Sequence, residues 1–274
     1  MEQYTKTSYL TARTVTLNYS TSFSKSSQLF SSAIRDHIYA IYGLVRVADE
    51  VVDTYEGKDK ADIIKDLEAQ TLHSLKTGFS PNPLVHAFVT TSKRYGIGRD
   101  LIQPFFKSMQ MDLEPKTYTP KLYADYIYGS AEVIGLMCLK VFCDNETQYQ
   151  KLEAGAKALG SAYQKVNFLR DIKADFDERG RVYFPGITYD TFDDNQKDGI
   201  VKDIKKDFKT AQTAIPKLPT NARKAVALSF AYYLELLKKL DHTSAETIKA
   251  GRIRVSNAKK LQLFLKQRIK LGAV

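Results

Sequence analysis

At 274 residues and 43% apolar side chains the chain can bury a sizeable core. With no Pro/Gly/Ser-rich linker, composition shift or solenoid-period repeat, one domain over 1–274 is expected. Only 14 Gly and 8 Pro, with long runs free of both, predict a mostly helical protein. The 41 Lys and Arg against 31 Asp and Glu leave a net charge of +10. That invites an anionic partner without choosing among nucleic acid, an acidic membrane surface and a phosphorylated substrate. Runs such as 202–209 and 259–270 are equally explained as solvated surface.

Residues 1–30 predict a short helix and then the hydroxyl-rich Tyr-Ser-Thr-Ser-Phe-Ser at 19–24. Ser20 and Ser22 can cap a helix or hold an oxyanion, and residue type alone favours the cap. The segment 31–55 is helical and apolar almost throughout from Ile38 to Val52, with charge only at Arg46, Asp49 and Glu50 before Asp53. Tyr42, Arg46, Asp49 and Asp53 follow the four-three-four spacing of one helical stripe. A surface acidic pair with a local Arg46–Asp49 ion pair explains those charges. It does not explain the apolar flanks, because a surface helix is polar on the side away from the core.

Residues 61–76, 83–95 and 99–111 predict amphipathic helices. A long helix is expected over 122–143, where Gly129, Ser130, Ala131 and Gly135 let another helix or a ligand approach closely. The stretch 147–177 predicts a further helix, 187–219 reads as charged and irregular with short helices, and 222–240 and 256–269 predict closing helices about a turn at Gly251. Gly-Ile-Gly-Arg-Asp-Leu at 96–101 follows no strand and lacks the last glycine of a dinucleotide fingerprint. His37, His73, His86 and His242 form no zinc spacing. Cys138 and Cys143 lie in an apolar stretch and are expected to be reduced core residues of a cytoplasmic protein. The first ten residues lack the layout of a signal peptide. The greasiest run, 131–143, contains Glu132 and Lys140 and is too short to span a bilayer.

The densest chemistry lies in 162–186. On a helix, Gln164, Asn167, Asp171 and Asp175 stack along one face, surrounded by Leu159, Ala162, Val166, Phe168, Leu169, Ile172 and Phe176. Such a helix is buried, and its acids must face an enclosed polar space, because ionised carboxylates against hydrocarbon are expensive. Facing stripes of Asp49 with Asp53 and of Asn167 with Asp171 and Asp175 suit magnesium, which is held by one or two carboxylates and completed by substrate phosphates. Manganese is the alternative. Arg46, Arg170 and Arg181 are candidates to grip phosphate oxygens, apolar walls to take a hydrocarbon tail, and tyrosine faces to steady a positive carbon. Gly180 breaks the helix, and Arg181 and Tyr183 point the same way if 179–185 is extended. The stretch alone fits a loop anchored by an aromatic equally, and its place after Asp175 favours a lid bringing a cation and a phenol over the metal.

Three motifs in one order carry a resemblance: Val-Arg-Val-Ala-Asp-Glu-Val-Val-Asp (45–53), Tyr-Gly-Ser-Ala-Glu-Val-Ile-Gly-Leu-Met (128–137) and Asn-Phe-Leu-Arg-Asp-Ile-Lys-Ala-Asp-Phe-Asp-Glu-Arg-Gly-Arg-Val-Tyr-Phe-Pro (167–185). They closely resemble those of the phytoene/squalene synthase family. The similarity runs from 19–24 to near the C-terminus, where 251–255 and 259–261 resemble the family's closing Arg-Val…Lys-Lys pattern. The 179–185 ending looks most like the phytoene synthase branch. The resemblance implies an all-α isoprenoid-synthase helical bundle around a central cavity. It also implies a prenyltransferase that joins two geranylgeranyl diphosphates head to head, through a cyclopropyl diphosphate, to phytoene.

Carried over by motif, Asp49, Asp53, Asp171 and Asp175 would position metal with Asn167 beside them. Ser20, Ser22, Arg46, Arg170, Arg181, Tyr183 and Arg252 would contact diphosphates, and Tyr39, Tyr42, Tyr126 and Gln164 would line the chamber. Two departures stand out: Gly129–Gly135 replaces the family's Gly-Thr-Val-Gly and brings in Glu132, and Thr21 sits where some relatives place a basic residue. The alternatives are a squalene or dehydrosqualene synthase acting on farnesyl diphosphate and a non-catalytic helical protein of the same fold. No nicotinamide cofactor is expected for phytoene formation. Neither is nucleic acid as a partner, whereas loose, salt-sensitive membrane association is expected.

Overall fold

The computed structural model describes residues 1–114 and 117–270; the side chains of Thr21, Ser22, Arg179 and 267–270 lie outside that description. Every regular element among the described residues is helical: α1 (Glu2–Tyr19), α2 (Thr21–Ser27), α3 (Ser32–Asp53), α4 (Lys60–Thr77), α5 (Pro83–Tyr95), α6 (Arg99–Met111), α7 (Pro120–Ile127), a π turn (Tyr128–Glu132), α8 (Val133–Phe142), α9 (Glu146–Arg179), α10 (Asp194–Ala214), a short 3-10 turn (Ile215–Lys217), α11 (Thr220–Asp241), α12 (Ala245–Ala250) and α13 (Asn257–Lys270). The expected all-α bundle is what forms. The ends of the helices are written in the chain. Asn82, Thr119, Asn145, Asp193 and Ser244 each accept a first-turn amide, satisfying donors that have no partner within the helix. α9 stops at Gly180, whose φ of 62° is open to glycine at no steric cost, with its N–H on the Phe176 carbonyl at 2.8 Å.

Two segments differ from expectation. The stretch 187–219 contains α10, a single helix of 21 residues. Its buried Val201, Ile204, Phe208 and Ala211 form one narrow stripe at helical spacing, hidden among lysines and aspartates. The predicted helix over 122–143 is present but loosens into the π turn midway. There Gly129 meets the Pro104 carbonyl and the Ser108 hydroxyl of α6 so closely that a Cβ would collide with both. On the other side, a Cβ at Gly135 would lie 2.7 Å from the Ala156 carbonyl of α9. Glycine at these points is what lets the three helices touch.

Two large cores result. One gathers α3, α5, α6 and α8 around Ile38, Leu44, Phe88, Phe106 and Leu136. The other gathers α9, α10, α11 and α12 around Val166, Leu169, Phe208, Leu240 and Ile248. α3 belongs to the first core and α9 spans both, so each buries side chains along most of its length. No described helix is long and apolar enough to cross a membrane.

α1, α3 and α5 are pinned by His37. Its Nδ1 meets Thr91 Oγ1 at 2.9 Å and Tyr9 Oη at 3.1 Å, and the ring lies edge-on to Tyr95. Burial first, and Arg94 second, lower its pKa from 6.5 to about 4. The unfolded chain therefore takes up a proton on this imidazole that the folded chain refuses. The resulting stability is present above pH 6.5 and is lost as pH falls toward 4. Melting curves at fixed ionic strength check this: the advantage of the native protein over His37→Gln is expected to shrink across that window, and a constant offset would refute it.

Candidate active site

A cavity of about 1270 Å³ lies between the two cores. α3 lines it with Ile38, Tyr42, Val45, Arg46, Asp49, Val52 and Asp53, and α9 with Leu152, Ala156, Leu159, Tyr163, Gln164, Asn167, Asp171 and Asp175. From Leu152 to Asp175 the α9 backbone advances roughly 35 Å. Along it the wall changes from leucine and alanine to amide and carboxylate. α3 changes in the same sense, from Ile38 to Asp53. The acidic ends coincide: Asp53 acts on Asp112 and Asp175 on Tyr183, and these two share a hydrogen bond of 3.1 Å. The apolar part of the wall includes Phe30 stacked on Phe142, with ring centroids 5.4 Å apart.

The acidic end is crowded with cations. Asp171 is held by Arg170, whose Nε donates to Oδ1 at 2.9 Å, and by Arg252, whose Nε lies 2.9 Å from the same oxygen. Arg254 and Lys260 line the same end. Arg46 pairs with Glu50, not Asp49, and lies over the Tyr19 ring at 4.7 Å. Asp49 is half-buried, Asp53 exposed and Asp175 buried. Tyr233 reaches the Asn167 amide oxygen at 3.3 Å and stacks on Tyr163. Among the described residues no three His, Cys, Asp or Glu side chains converge tightly enough to hold a metal by themselves. Carboxylates and an amide oxygen are nevertheless hard donors that suit magnesium. A partial shell is what that ion uses when waters and phosphate oxygens complete it, and guanidinium groups beside the acids suit the phosphates. The donor set therefore fits a divalent ion arriving with a diphosphate.

Asp49, Asp53, Asp171, Asp175, Asn167, Gln164, Tyr42, Tyr126, Tyr183, Ser20, Arg46, Arg170 and Arg252 all line this cavity. Ser20 also caps α2, accepting the Phe23 N–H at 3.1 Å. The Ser22 side chain lies outside the described residues. Two expectations are corrected. Tyr39 does not face the cavity: it is buried with Ala12, Ala40 and Ala87 between α1 and α5, because it follows Ile38 and so points roughly 100° round the helix from it. Arg181 does not face it either. It is buried against Asp112, with Nη1 at 3.0 Å from the carboxylate and Nη2 at 2.8 Å from the carbonyl. Arg181 and Tyr183 do point the same way, but inward onto one acid, so 181–185 is clipped down. Glu132 is half-buried beside Lys157 and is absent from the cavity wall. Residue spacing did not disclose Asp112, Tyr233, Arg254 or Lys260; the basic character of 252–260 was the available signal for the last two.

The family described as squalene/phytoene synthase matches residues 16–259. The chain is 28% identical to the 15-cis-phytoene synthase of Synechococcus elongatus (strain ATCC 33912 / PCC 7942 / FACHB-805), over 88% of its own length and 86% of the relative's. It is 26% identical to the 4,4'-diapophytoene synthase of Staphylococcus haemolyticus (strain JCSC1435), over 68% of its own length and 65% of that protein's. A crystal structure of a dehydrosqualene synthase with ligand superimposes with a TM-score of 0.81 over 99% of both chains at 20% identity, a likeness of fold.

Magnesium and inorganic pyrophosphate added together are expected to raise the melting temperature, and either alone much less. At about 100 times the dissociation constant the gain is about 2.7 kcal/mol, or roughly 5–10 °C for a chain of this size. Chelation with EDTA, or Asp171→Asn, should remove the shift. A shift indifferent to both would contradict the assignment.

Proposed function

We propose that this chain, which belongs to the squalene/phytoene synthase family, is a prenyltransferase acting as one catalytic domain on two geranylgeranyl diphosphates. The single observation that carries this is the cavity: the acids of α3 and α9 meet at one end of an apolar chamber that runs roughly 35 Å along α9. One allylic C–O bond breaks with its electron pair leaving on diphosphate. The double bond of the second molecule attacks the carbocation, and loss of a proton gives a cyclopropyl diphosphate. The second diphosphate then departs, the skeleton rearranges, and a second proton is lost to give phytoene. No reductant enters that balance. A magnesium ion, when bound, would offset the charge that develops on the departing diphosphate.

The chain's own residues have separate tasks. Asp49, Asp53, Asp171 and Asp175, with Asn167, would hold the cation. Arg170 and Arg252 would exchange Asp171 for phosphate oxygens, joined by Arg46 and the Ser20 side of α2. Tyr42, Tyr126, Tyr183 and Gln164 line the wall where positive carbon forms, and the oily wall keeps water from the carbocation. The chamber volume of about 1270 Å³ is above the usual small-molecule range of ~300–1,000 Å³, which supports long tails. Farnesyl diphosphate is the second reading, supported by the 26% identity to a diapophytoene synthase.

Purified protein given each prenyl diphosphate with magnesium tests both readings by product mass. Geranylgeranyl diphosphate is expected to give phytoene, a dominant farnesyl-derived product would shift the assignment, and no product from either would overturn it. Asp49→Asn and Asp171→Asn are each expected to lower turnover by roughly 10²–10³-fold with unchanged helical circular dichroism.

Substrate and product are both greasy, and Arg252, Arg254 and Lys260 rim the acidic end beside exposed Leu261 and Leu265 on α13. We propose loose docking there on an acidic bilayer. Vesicle co-sedimentation is expected to weaken as salt rises, and binding to neutral vesicles that ignores salt would refute it.

A further inference from the structure

Beneath 181–185 lies a buried ion pair, Asp112 with Arg181, to which the roles above assign nothing. Asp112 follows the last residue of α6 and is buried. Its Oδ2 accepts Tyr126 Oη at 2.6 Å, and its Oδ1 accepts Arg181 Nη1 at 3.0 Å and Tyr183 Oη at 3.1 Å. The donors come from α7 and from the segment after α9. Asp112, Tyr126 and Tyr183 all lie on the cavity wall, and Arg181 sits behind them. Phe168 of α9, the neighbour of Asn167, stacks on Tyr183 at 4.0 Å with planes 7° apart. The cluster is thereby tied to the helix that carries Asn167, Asp171 and Asp175.

Stability alone does not account for this arrangement. A buried ion pair is commonly no more stable than apolar side chains of the same volume, and phenylalanine would fill the tyrosine positions without needing an acceptor. A phenol that donates to a carboxylate has its ring held in one orientation and its oxygen made more electron-rich. We propose that Asp112 is a positioning residue of the chamber, fixing the rings of Tyr126 and Tyr183 on its wall and holding Arg181 away from the diphosphates. The inference rests on the reaction proposed above. Asp112 touches neither substrate nor leaving group; it acts through the two phenols, and Arg181 balances its charge.

Steady-state kinetics of Asp112→Asn, Tyr126→Phe, Arg181→Met and Arg181→Lys, with the Asp112→Asn/Tyr126→Phe double variant, test it. Asp112→Asn and Tyr126→Phe are expected to lower kcat by roughly tenfold or more while KM stays within about threefold. The double variant is expected to lose little beyond the worse single one, as for residues acting through one contact. Arg181→Lys should recover most of the turnover that Arg181→Met loses. The melting shift with magnesium and pyrophosphate should be wild-type in Arg181→Met, because that side chain is not a diphosphate ligand. A lost shift or a tenfold higher KM in Arg181→Met would overturn the inference, as would native kcat in Asp112→Asn or additive losses in the double variant. If Asp112→Asn fails to fold, Tyr126→Phe and the Arg181 pair still decide. A wild-type protein without turnover would count against the proposed reaction, whereas active wild type with indifferent variants would count against Asp112 alone.

Discussion

Keeping ionised groups inside an oily enclosure is the constraint on which the rest of this fold depends. Each carboxylate withdrawn from water costs several kcal/mol unless a cation and hydrogen bonds replace the lost hydration. Here the charges are gathered at one end of the cavity. Asp171 has two guanidinium groups on it, and burial pushes Asp112 up to about 6 even against the lowering by Tyr126 and Arg181. The remaining wall is hydrocarbon. Helices that must cover such a chamber on one side and a core on the other have little room for polar residues. The segments of α3 and α9 beside the chamber, Ile38–Val52 and Leu159–Ile172, therefore bury apolar side chains around their polar stripes.

Close backbone contact is the second requirement. The cavity wall at Ser130, Ala131 and Gly135 is also the seam between the π turn, α8 and α9. A π turn widens the helix by one residue and is frequent at functional sites. In this protein it spans Tyr128–Glu132, with Ser130 and Ala131 on the chamber wall and Glu132 beside Lys157 outside it. The same small residues that permit tight packing leave the space that a tail would fill.

Much of this was legible in the residues. α3, α5 and α6 follow from apolar periodicity bounded by Ser31, Pro83, Gly96 and Gly98, and the two acidic stripes follow from spacing alone. The illegible parts share a cause. Asp112 is one acid at a helix end, and its partners Tyr126 and Arg181 lie 14 and 69 residues away, so no local pattern announces it. Arg181 follows Asp175 closely, yet sequence proximity does not say which side of an extended segment faces the chamber. α10 was obscured because its buried stripe is one residue wide. Its lysines and aspartates dominated the composition, although half-buried Asp203 and Asp207 pair with Lys165 of α9 at 2.6 and 2.8 Å.

α9 is a single rod of 34 residues, about 51 Å from end to end. The groups that would grip a leaving group and the small residues at Gly155 and Ala156 deep in the chamber are separated by fixed turns of one rigid ruler. Under the proposed reaction, enlarging Ala156 would shorten the tail that fits without disturbing the carboxylates several turns away, whereas a Cβ at Gly155 would lie 2.2 Å from that of Ala214. In the proposed reaction the carbon count of the hydrocarbon and the ionisation of the diphosphate are thus set at opposite ends of one helix.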